Sequence, residues 1–167
     1  SLAVILLLSI LSMRQSSRWR DSETLFTHIL AVDPDNHVAH SNLSALSVTN
    51  GDYVEGLNHA RRAIEAGHTS VLTRNNLALC LAKLGETEAA TKEFRKVLSE
   101  APNLAEAHLN LGNLLRASSP EEAERHYRRA IEADPDYAEA HNNLGGLLAR
   151  TDPTEAQKHL RMSLRIW

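Results

Sequence analysis

Apolar and polar positions along this chain recur in phase. The stretches VAHSNLSALSVTNGDYVEG, VLTRNNLALCLAKLGETEAA, AEAHLNLGNLLRASSPEEA and AEAHNNLGGLLARTDPTEA align with one another. An Asn-Leu pair returns at Asn42-Leu43, Asn76-Leu77, Asn110-Leu111 and Asn143-Leu144, at intervals of 34, 34 and 33 residues. Pro34, Pro102 and Pro135 keep the same rhythm. A period in this range marks stacked helix pairs, because one pair cannot bury its apolar face alone. The pattern predicts a helix over 21–32, then A helices over 37–49, 71–83, 105–117 and 138–149. Their B partners are predicted over 53–66, 87–99, 120–132 and 153–165.

The predicted turns carry matching chemistry. Asn50-Gly51-Asp52 and Gly85-Glu86 supply a glycine for the left-handed conformation that closes a helix. Ser119-Pro120 and Asp152-Pro153 place a capping side chain before proline at the first helical position. Ser119 and Glu122 also have capping-box spacing. These later turns are one residue shorter, which accounts for the interval of 33. Ala90, Ala123 and Ala156, with Gly56 in the first hairpin, fall where helix B crosses helix A. Gly112 and Gly145 are expected to permit close approach on helix A.

Leu111-Gly112, Ala123, Tyr127, Ala130 and Pro135 resemble the signature of the tetratricopeptide repeat family. Leu144-Gly145 with Ala156, and Leu77-Ala78, Ala90, Phe94 and Pro102, resemble it in the neighbouring repeats. The likeness covers about residues 19–167 and implies an all-α fold, a superhelix or solenoid of antiparallel helix pairs. The expected organisation is a partial repeat over 19–36 and complete repeats over 37–70, 71–104, 105–137 and 138–167. The family's early aromatic is absent. His40, Arg74, His108 and His141 stand in its place.

Residues 1–18 form a separate apolar leader. Its core, LAVILLLSIL, is shorter than the ~20 residues that span a bilayer. It lacks a basic region ahead of the apolar run, so it matches a secretory signal poorly. Two readings stand: a truncated transmembrane helix that tethers the repeats to a membrane, or a capping helix of the stack. The following RQSSRWRDSETLF looks like the junction in transmembrane-and-tetratricopeptide proteins, with Trp19, Asp21, Ser22, Glu23, Leu25 and Phe26 carrying the likeness. That resemblance implies extracytoplasmic repeats that recruit substrate for a membrane glycosyltransferase. The expected location is that of a membrane-anchored protein with its repeats in a soluble compartment, and a cytoplasmic location is the alternative.

Composition narrows the function. The 18 basic and 21 acidic residues give a net charge of -3, so no basic excess drives nucleic-acid binding. The Arg61-Arg62, Arg95-Lys96, Arg128-Arg129 and Arg161 stripe is explained by compensation of helix dipoles. Cys80 is the single cysteine and falls among leucines, so it reads as buried. His40, His108 and His141 belong to different hairpins and are read as filling the aromatic position. His28, His37, His59, His68, His126 and His159 show no ligand spacing. No phosphate loop, HExxH or nucleophile elbow occurs. The expectation is a protein without catalytic residues, metal or cofactor.

Binding is expected on the concave face lined by the A helices. Asn42, Asn76, Asn110 and Asn143 form one set there. A side-chain amide both donates and accepts, so such a ladder could hold the backbone of an extended peptide. The resemblance implies the same role; bonding to a neighbouring helix is the alternative. Asn75, Asn113 and Asn142 join the set, with Lys83, Arg116 and Arg150 offering positive charge to a carboxylate. The expected partner is a protein or peptide. Accessory service to a glycosyltransferase and structural oligomerisation through apolar stack ends, such as Met162, Leu164, Ile166 and Trp167, are the alternatives.

Overall fold

A computed structural model of the chain describes residues 22–166. The leader over 1–18 lies outside the described residues, as do Trp19 and Asp21, so neither reading of it enters the fold. Every regular element among the described residues is an α-helix. The chain divides into two compact units, one reaching Thr69 and one beginning at Ser70.

The first unit contains α1 over residues 22–32, α2 over His37–Asn50 and α3 over Tyr53–Glu65. Asn36 starts α2, its side chain accepting from the Ala39 amide at 3.0 Å. Gly51 then ends it at φ 84°. There the Gly51 amide donates to Val48 and the Asp52 amide to Ser47, satisfying carbonyls that the helix leaves open. Gly67, at φ 93°, closes α3 by the same geometry, with amides of Gly67 and His68 donating to Ile64 and Ala63. Leu43 and Leu46 from α2 meet a core that includes Leu57, Ala60 and Ala63 from α3. Buried Ser44 donates to the Gly56 carbonyl at 2.9 Å, a bond between the two helices.

The second unit contains three hairpins: α4 Val71–Lys83 with α5 Thr87–Glu100, α6 Ala105–Leu115 with α7 Pro120–Ala133, and α8 Ala138–Leu148 with α9 Pro153–Ile166. Each helix touches the next, and the A helices touch along α4, α6 and α8. Phe94, Tyr127, Leu109, Leu111, Leu144 and Val97 are its largest fully buried apolar side chains. Each stabilises the unit by roughly 1.5–3 kcal/mol relative to exposure. Ala90, Ala123 and Ala156 are buried where the helices cross. A Cβ on Gly112 would lie 2.6 Å from the Tyr127 ring, and one on Gly145 would lie 2.7 Å from Leu160 and 3.0 Å from the Ala156 carbonyl. These two glycines set the spacing of their hairpins.

The turns divide by length. Gly85, at φ 83°, closes α4 as Gly51 closes α2. The α6 and α8 helices end at Leu115 and Leu148, before the predicted 117 and 149. Their last carbonyls are taken by Ser119 at 2.7 Å and Asp152 at 2.8 Å without any residue of positive φ. Asp152 caps α9 as expected, its carboxylate accepting from the Glu155 amide at 2.9 Å. Ser119 does not cap α7 with its side chain. At φ -146° and ψ 71° its backbone carbonyl serves instead, accepting from Glu122 and Ala123. Pro120 still occupies the first turn, where a missing N–H costs nothing.

Candidate functional site

In the second unit Asn76, Asn110 and Asn143 stand on the three A helices α4, α6 and α8, which touch in that order. All three are half-buried. Asn76 and Asn110 form no side-chain hydrogen bond among the described residues, so both amides keep a donor and an acceptor available. Asn143 is committed. Its Nδ2 donates to Asn113 Oδ1 at 2.8 Å, and the same oxygen accepts from the Tyr127 hydroxyl at 2.9 Å. Burial, the leading cause, pushes the Tyr127 phenol up, so it stays protonated and donating.

The remaining predicted positions separate by accessibility. Asn113, Asn142, Lys83, Arg116 and Arg150 are exposed. Lys83 ends α4, Arg116 follows α6, and Arg150 lies two residues beyond α8. Asn75 is only 5% exposed, and its Oδ1 has no hydrogen-bond partner. It is a buried neighbour of the amide row, not an open member. Asn42 belongs to the first unit, where its Nδ2 donates to Val38 of its own helix at 2.8 Å.

The histidines pair between the two helices of a hairpin, which metal-ligand spacing within one helix does not reveal. His40 and His59 meet Nδ1 to Nδ1 at 2.8 Å, His108 and His126 at 2.9 Å, and His141 and His159 at 2.8 Å. In each pair the A-helix ring turns its Nε2 to a proline carbonyl: Pro34 at 2.9 Å, Pro102 at 2.9 Å and Pro135 at 3.0 Å. A carbonyl only accepts, so that nitrogen carries the proton. In the Nε2–H tautomer of the A-helix ring, Nδ1 accepts and the B-helix ring donates. Beyond it, Nε2 of the B-helix histidine faces a carboxylate one turn earlier: Glu55 at 3.7 Å, Glu122 at 3.9 Å and Glu155 at 3.6 Å.

The second repeat replaces this relay with charge. Arg74 donates to Glu93 at 3.0 Å and lies 3.7 Å from Glu100. Burial works against the Glu93 carboxylate, but bonds from Lys96 and Arg74 outweigh it and hold the carboxyl below its usual range. His40, His108 and His141 are buried rings at the aromatic position, and their contacts reach further than space-filling. They are polar bridges from helix A to helix B and to the preceding turn.

Several chemical possibilities narrow. Cys80 is fully buried and burial pushes its thiol up to about 11, which removes the thiolate that nucleophilic or redox chemistry requires. Among the described residues, no three His, Cys, Asp or Glu side chains form a group that could hold a metal ion. No described helix is long and apolar enough to cross a membrane. The basic stripe is largely neutralised by acids: Arg95 pairs with Glu122, Lys96 with Glu93, Arg128 with Glu124 and Glu155, and Arg129 with Glu132.

Comparison with known proteins places this architecture. Residues 73–104 match the family described as tetratricopeptide repeat, and residues 120–152 match TPR repeat. No curated protein matches the chain in sequence. Among solved structures, the MamA protein of Desulfovibrio magneticus RS-1, from residue 41 onward, superposes with a TM-score of 0.76 at 17% identity. That alignment covers 93% of this chain and 90% of the other. YrrB, a TPR protein with an unusual peptide-binding site, gives 0.72 at 20% identity, covering 92% and 80%. PilF of Pseudomonas aeruginosa gives 0.78 at 16%, covering 94% and 72%. The fold is thus that of the tetratricopeptide repeat family, an all-α solenoid of antiparallel helix pairs.

Proposed function

We propose that the chain is a protein-interaction scaffold that holds an extended polypeptide along its A helices, through Asn76 and Asn110. The observation that carries this reading is the pair of half-buried, uncommitted amides on touching helices α4 and α6. An unbonded amide on a rigid helix is preorganised to bond a peptide backbone, which lowers the ordering cost of association. Asn143 and Asn113 extend the row but already bond each other, so they position the surface or exchange partners on binding. Lys83, Arg116 and Arg150 add positive charge at the C-terminal ends of the same helices, suiting an acidic peptide or a terminal carboxylate. The peptide-binding site of YrrB, on the same fold, supports the class of partner. It does not supply the contact residues.

The test is binding to an immobilised library of extended peptides, enriched in acidic sequences, by the wild-type chain, Asn76→Ala and Asn110→Ala. Loss of one hydrogen bond to an uncharged partner should weaken binding by roughly 0.5–1.5 kcal/mol, or about 2- to 12-fold. Unchanged binding in both variants would remove the amides from the site.

A further inference from the structure

In the second unit, Arg128 lies between two carboxylates. Glu124, one turn earlier on α7, accepts from Nε at 3.0 Å and Nη2 at 2.9 Å. Glu155 on α9 accepts from Nη1 at 2.7 Å and Nη2 at 3.0 Å. Glu155 uses both carboxylate oxygens, the bidentate form that is the strongest carboxylate–guanidinium contact, whereas Glu124 accepts through Oε1 alone. Arg128 stands seven residues before Pro135, and Glu124 eleven before it. Counting back equally from Pro34 gives Thr27 and Glu23. Glu155 stands four residues before the relay histidine His159, and Glu55 four before His59. The first unit therefore keeps both carboxylates and has threonine where the arginine would be.

The structure has a space at that place. A cavity of about 250 Å³ is lined by Glu23, Thr27 and Glu55, with His59 and apolar surface from Leu30 and Leu43. The Glu55 side chain is 66% exposed, whereas its counterpart Glu155, bonded to Arg128, is 31% exposed. Small-molecule sites usually enclose about 300–1,000 Å³, so this volume suits one long side chain better than a whole ligand.

We propose that this cavity receives an arginine side chain presented by a partner polypeptide. Its guanidinium would bridge Glu23 and Glu55 as Arg128 bridges Glu124 and Glu155, and its methylenes would lie on Leu30 and Leu43. Arginine fits better than lysine because its planar fork can bond two carboxylates at once. This site is separate from the amide row, so either can fail without the other.

The experiment titrates the isotope-labelled chain with N-acetylarginine methylamide, and in parallel with the lysine and citrulline counterparts, by NMR. The arginine compound should shift the Thr27 and His59 signals saturably at millimolar concentration. The lysine compound should bind several-fold more weakly, and citrulline, which is isosteric but uncharged, should not shift them. Thr27→Arg should fill the cavity from within the chain and abolish the response. Glu23→Gln with Glu55→Gln should abolish it while circular dichroism stays unchanged. No saturable shift with the arginine compound, an equal response to citrulline, or a response retained in Thr27→Arg overturns the proposal.

Discussion

His141 and His159 face each other Nδ1 to Nδ1 at 2.8 Å, and His141 Nε2 donates to the Pro135 carbonyl at 3.0 Å. The bond uses one proton. A second proton between those nitrogens would set donor against donor, so the bridge tolerates charge on the B-helix ring but not on both rings.

The first prediction concerns acid. Burial leads in holding His59, His126 and His159 below the ordinary histidine value of 6.5, and the facing histidine adds to it, against partial opposition from Glu55, Glu122 and Glu155. Across the window just below 6.5, the folded chain therefore binds fewer protons than the unfolded chain. The stabilising contribution is fully present above 6.5 and is lost as pH falls from there toward the folded values. The urea midpoint should drop between about pH 7.5 and about pH 5.5. Replacing all three B-helix histidines by glutamine should flatten that slope. A slope that survives the replacement would assign the acid sensitivity to other groups.

Adjacent glycines on α8 should respond in opposite directions. Gly145→Ala drives a methyl against Leu160 and the Ala156 carbonyl and should cost about 1–3 kcal/mol. Gly146 has nothing within 4 Å of an added Cβ. Gly146→Ala should stabilise by up to about 1 kcal/mol through helix propensity. Thermal melts of the two single variants, run together, check both the sign and the close crossing of α8 and α9.

Tyr127→Phe removes the hydroxyl that donates to Asn113. The loss should be about 1 kcal/mol. The Asn113→Ala change should cost more, because the Tyr127 and Asn143 donors would lose their shared acceptor. Urea denaturation of the two variants orders them, and equal costs would show that water replaces the lost partner.

Glu155 is held down to about 2, chiefly by its bonds from Arg128. Its contribution is present above the ordinary carboxylate value of 4.5 and is lost as pH falls from there toward 2. Both side chains are about a third exposed, at 38% and 31%, so Glu155→Gln should cost no more than about 1 kcal/mol at neutral pH. That cost should shrink in high salt.

How far the sequence reveals this protein depends on the range of the interaction. Gly51, Gly85, Pro120 and Pro153 act within a turn or two, and they place the helix ends to within two residues. Ser119 is different, since the same local signal is satisfied by its backbone once its φ and ψ depart from a capping geometry. Burial of Asn75 depends on packing, which the pattern of a single helix does not report. The histidine relays were present in the sequence as a pairing across each hairpin. His40, His108 and His141 are followed 19, 18 and 18 residues later by a histidine, while Arg74 is followed 19 later by Glu93. Reading the histidines one helix at a time concealed that exchange of His–His for Arg–Glu. The Asn143–Asn113 bond joins different hairpins and left no comparable signal.

The burial of Cys80 has a practical consequence. Its thiol is closed to solvent and resists ionisation, so a thiol reagent can reach it only when the surrounding helices open. The sole cysteine of the chain is thus a built-in clock. Its rate of alkylation under native conditions would time the opening of the unit that begins at Ser70, and a ligand that tightens that unit would slow the clock without touching the sulfur.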